Sequence, residues 1–125
     1  MNYMQHCQKV SLMDMADAFR QAYSVQSTQG QTKTQKRLID EEYMEFDWAL
    51  AKNEPAWEQL KELADLVYVC YQFAANEGWD LDEAMKRVHD SNMSKLDEHG
   101  KPIYREDGKV MKGPNYAPPH LEDLV

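Results

Sequence analysis

The chain has 125 residues, 42% of them apolar, and a formal charge of −8, which is enough for one domain with a buried core and is the balance of an ordinary acidic protein. That charge argues against a duplex-DNA binder, and there is no run of about 18 apolar residues to cross a membrane. The first residues, Met1-Asn2-Tyr3-Met4-Gln5-His6, lack the basic-then-apolar layout of a signal peptide, so the expected compartment is the cytoplasm.

The pattern predicts an all-α protein, four helices followed by a tail, forming a single domain over residues 1–125 with a helical core at about 9–96 and the tail at about 97–125. The first helix is expected over residues 9–23, with Val10, Met13 and Phe19 among its apolar positions, and a polar loop over residues 24–34 around Gly30. In the second helix Ile39, Tyr43, Phe46 and Leu50 recur at helical steps and mark the core-facing stripe. This helix also carries Glu41-Glu42-Tyr43-Met44-Glu45, in which Glu42 and Glu45 are spaced i,i+3 and flank the stripe. It should end near Asn53-Glu54-Pro55, with Asn53 as a cap and Pro55 suited to the first turn of the next helix.

The third helix is expected to run to about Asn76 and to stop at Gly78. Glu62 and Asp65 repeat the i,i+3 spacing, and Asp65 opens Leu66-Val67-Tyr68-Val69-Cys70-Tyr71, the stretch expected to be most buried. A desolvated carboxylate there needs a partner. One ExxE pair is usually a solvated helix face. Two pairs on adjacent helices would repel strongly unless a divalent cation sat among them, so Glu42, Glu45, Glu62 and Asp65 read as a magnesium site. Cys7 and Cys70 have no metal-ligand spacing and are expected to be reduced thiols, Cys70 packing in the helix.

Asp80 and Glu83 form a capping-box-like start for the fourth helix, whose inward stripe is Leu81, Met85 and Val88. Asn92 continues that side and Lys95 lies a turn further, although a helix C-cap is the plain alternative for Asn92. Residues 95–112 carry a net charge of +1 against −9 for the rest, a local basicity that suggests an anion site. Arg105 and Lys112 are its better candidates, while Lys101 and Lys109 read as solvated charge. Asp107-Gly108 signals a hairpin turn, and residues 113–119 should run extended without regular pairing.

These residues resemble the MazG-like all-α nucleoside triphosphate pyrophosphohydrolases, whose signature is EExxE, a variable gap, then ExxD. The likeness is closest to a small single-domain branch, through Val88-His89-Asp90-Ser91-Asn92-Met93-Ser94-Lys95-Leu96, the stretch from Gly100 to Val110, and Lys112-Gly113-Pro114-Asn115-Tyr116. The resemblance implies a four-helix bundle and hydrolysis of a (deoxy)nucleoside triphosphate between the α- and β-phosphates, a purine dNTP such as dGTP first. It implies magnesium, with manganese as a substitute, on Glu42, Glu45, Glu62 and Asp65, with Glu41 beside them as the general base. Asn92, Lys95, Arg105, Lys112 and Tyr116 would bind substrate, and Tyr116 would come from a neighbouring subunit. A homo-oligomer is expected, because the third helix is apolar over more of its circumference than a monomer can cover, and the resemblance implies that it is a dimer of dimers.

Trp48, Trp57, Tyr43 and Phe19 are candidates for stacking the base, with the core as the commoner role for aromatics at helical spacing. The same-chemistry alternatives are phosphoribosyl-ATP and dUTP pyrophosphohydrolases. A ferritin-like di-iron bundle would need Glu-x-x-His pairs, which are absent, and a non-enzymatic reading is an acidic helical adaptor.

Overall fold

The computed structural model describes residues 10–26 and 29–125; Cys7 and the expected helix start at Lys9 lie outside them. The protein is all-α: among the described residues, four helices and one two-stranded hairpin account for the regular structure apart from a terminal 3₁₀ turn. Two compact units divide it, residues 1–81 and 82–125.

In the first unit, α1 spans Leu12–Ala22 and opens on a capping box, Ser11 Oγ accepting from the Asp14 N–H (3.0 Å) while the Asp14 carboxylate accepts from the Ser11 N–H (3.3 Å). Such a cap contributes about 1 kcal/mol and explains why the helix begins here. α2 spans Gln29–Ala51 and α3 spans Ala56–Glu77. Much of the polar stretch expected to be loop, Gly30 and Thr34 included, is therefore the first turns of α2. A polar sequence does not bar a helix whose inward face accepts polar side chains.

The α2–α3 turn corrects another expectation. Asn53 does not cap α3; it sits at φ 52° and closes α2, with Glu54 N–H donating to Ala49 O and Asn53 N–H to Leu50 O, both at 3.0 Å. These nested bonds are a Schellman ending, in which asparagine is a tolerated left-handed residue. Pro55 occupies the α3 N-cap position without a side-chain cap. Gly78, at φ 75°, ends α3 in the same way, as its sequence position predicts. The four-residue connection makes α2 and α3 antiparallel neighbours.

Their packing is not the simple apolar stripe expected. Tyr43 and Leu50 are exposed, and α2 turns Gln35 and Ala49 inward, with Glu42 and Phe46 half-buried between them. On α3 the buried residues are Tyr71, Gln72, Ala74 and Asn76, so of the run that opens at Asp65 Tyr71 alone is among them. Val67 and Tyr68 are 42% and 40% exposed. α1 packs on α3 through a buried guanidinium: Arg20 donates to Asn76 Oδ1 (2.9 Å), to Gln72 O and Oε1 (3.4 Å each) and to Gln26 O (3.3 Å). A charge taken out of water needs this many acceptors.

The second unit holds nearly all of α4, Leu81–Met93, then β1, Ile103–Tyr104, and β2, Val110–Met111. The strands pair antiparallel with Ile103 opposite Met111 and Tyr104 opposite Val110, across the turn expected at Asp107-Gly108. Met85, expected inward on α4, is exposed. Between β2 and the 3₁₀ turn the chain has no regular structure except a turn at residues 114–115, and it is held by Ser94 Oγ accepting from the Ala117 N–H (3.0 Å) and by Arg87, which bonds Asp123 at 2.6 and 3.0 Å. No helix among the described residues is long and apolar enough to cross a membrane.

Candidate metal centre

Three of the four acids meet. Glu42 of α2 and Glu62 and Asp65 of α3 each offer a carboxylate oxygen, all within 4.8 Å of one another. The antiparallel pairing explains this: one turn of α3 presents Glu62 and Asp65 side by side, and the inward line of α2 places Glu42 opposite them. Glu45, a turn along α2, is more exposed and lies outside that group, but its side chain hydrogen-bonds the Glu42 carboxyl.

The electrostatics are unfavourable without a cation. Two carboxylates about 5 Å apart repel by about 3 kcal/mol at an effective dielectric near 20. Burial first, then the charge and hydrogen bond of Glu45, then Asp65 and Glu62, push the Glu42 pKa up to about 7. Glu42 Oε2 and Glu62 Oε2 are buried with no hydrogen-bond partner among the described residues. Among the described residues the positive charge paired with these acids is Lys61, 2.8 Å from Asp65 Oδ2 and 3.5 Å from Glu62 Oε1; its pKa is raised, chiefly by the Asp65 hydrogen bond. Lys61 is exposed and reaches only the α3 acids. An all-oxygen donor set with two unpaired buried oxygens therefore fits a hard divalent cation.

Glu41 is exposed on the rim and lines an open pocket of ≈ 270 Å³ with Met44, Glu45 and Trp48. The aromatics are not core: Trp48 is 61% and Trp57 66% exposed, Tyr43 is exposed too, and Phe19 stacks on Tyr23 (4.6 Å) and meets Tyr68 edge-on (5.7 Å). Trp48 instead stands beside the acids, with Lys52 Nζ 4.3 Å above its ring.

The remaining candidates belong to the second unit. Asn92 is exposed in the last turn of α4, still helical rather than past its end, and its carbonyl accepts from the Lys95 N–H (3.2 Å). Lys112 Nζ lies 4.6 Å above the Tyr116 ring. Arg105 is engaged within its own turn by Asp107, at 2.9 and 2.5 Å, which raises the Arg105 pKa and lowers that of Asp107. Lys61 and Gln35 escaped the sequence reading. Their available signals were a cation directly preceding Glu62, and an amide seven residues before Glu42, hence on the same helical side.

A family model described as phosphoribosyl-ATP pyrophosphohydrolase matches residues 12–92, well over half of the chain. No curated protein matches the chain.

Proposed function

Because the chain belongs to the phosphoribosyl-ATP pyrophosphohydrolase family, whose members are hydrolases acting on acid anhydrides, we propose that it cleaves deoxynucleoside triphosphates at the α–β bond, giving the monophosphate and pyrophosphate. The observation that carries this reading is the carboxylate group of Glu42, Glu62 and Asp65 with its two unpaired buried oxygens. On this reading these three residues and Glu45 hold magnesium, or manganese in its place. The cation when bound offsets phosphate charge and lowers the pKa of a coordinated water.

The protein's own groups do the rest. Glu41, exposed beside the acids, accepts the proton of the attacking water as general base. Asn92 reaches a phosphate or the sugar, and Lys95 meets a phosphate as a point charge; Arg105 and Lys112 close over the leaving pyrophosphate, and Tyr116 does likewise or shapes the nucleotide pocket of a neighbouring subunit. Residues 1–125 act as one domain in the cytoplasm. A purine deoxynucleotide, dGTP first, is the proposed substrate.

An apolar groove of ≈ 330 Å³ along α3, lined by Leu12, Leu60, Leu63, Ala64, Val67 and Tyr71, supports a homo-oligomer, proposed as a dimer of dimers whose tails complete neighbouring sites. The family description favours one second reading, phosphoribosyl-ATP as substrate; it uses the same bond and the same acids.

The test is a panel of nucleoside triphosphates and phosphoribosyl-ATP with magnesium, read for pyrophosphate against orthophosphate. Pyrophosphate with the monophosphate is expected. Diphosphate and orthophosphate as primary products would put the chain in another reaction class, and no turnover with any nucleotide would favour the adaptor.

A further inference from the structure

Along the bundle from the acids, α1, α2 and α3 enclose a cavity of ≈ 180 Å³. Its apolar walls are Phe19, Val25, Leu38, Tyr68 and Val69, and its polar groups are Arg20, Gln35 and Gln72. Two of these are engaged with each other and with the backbone: Arg20 donates to Gln72 Oε1 (3.4 Å), and Gln72 Nε2 donates to Ala16 O (3.3 Å). Gln35 differs. It is 5% exposed, and its Oε1 has no hydrogen-bond partner among the described residues. A buried acceptor left this way is costly, and a donor entering the cavity would remove that cost.

Its location relates the cavity to the acids. Gln35 precedes Glu42 by two helical turns and Gln72 follows Asp65 by two turns; since α2 and α3 are antiparallel, both steps lead the same way, about 10 Å along the helices. Leu38 and Val69 stand one turn from Glu42 and Asp65. A phosphate held at the acids thus has the cavity about one sugar length away.

We infer that this cavity receives the nucleobase, a planar ring that donates an N–H to Gln35 Oε1, an assignment that rests on the nucleotide hydrolase reading above. The volume is below the ~300 Å³ at which pockets for whole drug-sized ligands begin, so it suits one ring system and not a nucleotide. About six waters would also fill the space at roughly 30 Å³ each, but water would satisfy Gln35 without distinguishing one base from another.

The experiment compares kcat/KM for the best natural dNTP with that for the triphosphate of purine deoxyriboside, whose base has no N–H donor. The wild type is expected to favour the natural nucleotide by roughly 10–100-fold, as a site built to hydrogen-bond its substrate does. Gln35→Leu should bring that ratio close to one while the melting temperature holds or rises, since it removes an unpaired buried amide oxygen. Val69→Phe, which fills the cavity, should weaken every base-bearing substrate. A ratio near one in the wild type, or one unchanged by Gln35→Leu, overturns the assignment. If no triphosphate is hydrolysed, the hydrolase reading fails separately. The cavity is then judged by NMR of the Gln35 side-chain amide during addition of 2′-deoxynucleosides, which carry no phosphate. Its resonances should move with the preferred nucleoside, and resonances unmoved by every nucleoside refute the base site.

Discussion

Replacing Glu42 with glutamine should stabilise the metal-free protein above neutral pH, although it removes a residue of the site. The Glu42 carboxyl is raised from 4.5 to about 7, so between those values the folded state keeps a proton that the unfolded chain has released. Folding stability therefore falls as pH rises through that window, and this group changes nothing further above about 7 or well below 4.5. The full shift corresponds to about 3 kcal/mol at about 1.4 kcal/mol per pH unit, and screening at this half-buried position reduces the expectation to about 1–2 kcal/mol. Glu42→Gln preserves shape and hydrogen bonding without the charge, so in urea unfolding with chelator it should match the wild type at pH 4.5 and exceed it by about 1–2 kcal/mol at pH 8. Magnesium reverses the order, because a cation at 100 times its Kd adds about 2.7 kcal/mol to the wild type and less to the variant. Metal binding should also release a proton and strengthen as pH rises towards 8. Parallel pH curves for the two proteins, or a variant less stable than the wild type at pH 8 without metal, would refute the argument that the acids repel across this site.

Glu62→Gln or Asp65→Asn should abolish turnover and leave the helical circular dichroism intact, since each removes ligand charge rather than core volume; full activity of either, or of the wild type in excess chelator, would leave the cluster without a catalytic part. A Cβ added at Gly113 would lie 2.3 Å from Leu96 O and 2.7 Å from Lys95 O, so Gly113→Ala should lift the tail from the turn after α4 at a cost of about 1–3 kcal/mol. Faster hydrogen exchange around Ala117 would report it, and unchanged exchange would refute the close approach. Deleting the chain after Met111 should weaken assembly and turnover together, which light scattering and the pyrophosphate assay measure in parallel; a fully active monomer would refute both the covered groove and the shared site.

The local features of this chain follow from short-range chemistry and are legible in its sequence. Helix existence, the stop at Gly78, the Asp107-Gly108 turn and the i,i+3 acid pairs each depend on a few neighbouring residues, whose backbone preferences and helical spacing act before any packing. Other features need the neighbouring helix. Asn53 reads equally well as the start of one helix or the end of another, and only the bonds to Ala49 and Leu50 made it an ending. Apolar spacing pointed to Tyr43 and Leu50 as the inner face of α2, yet the helix is rotated so that Gln35 and Glu42 face inward, with Glu42 opposite Glu62 and Asp65 of α3. Periodicity assigns the inside of a helix to its apolar residues. Where the inside is a polar site, it is defined by which groups the neighbouring helix brings opposite it, and that juxtaposition exists only once the chain has folded.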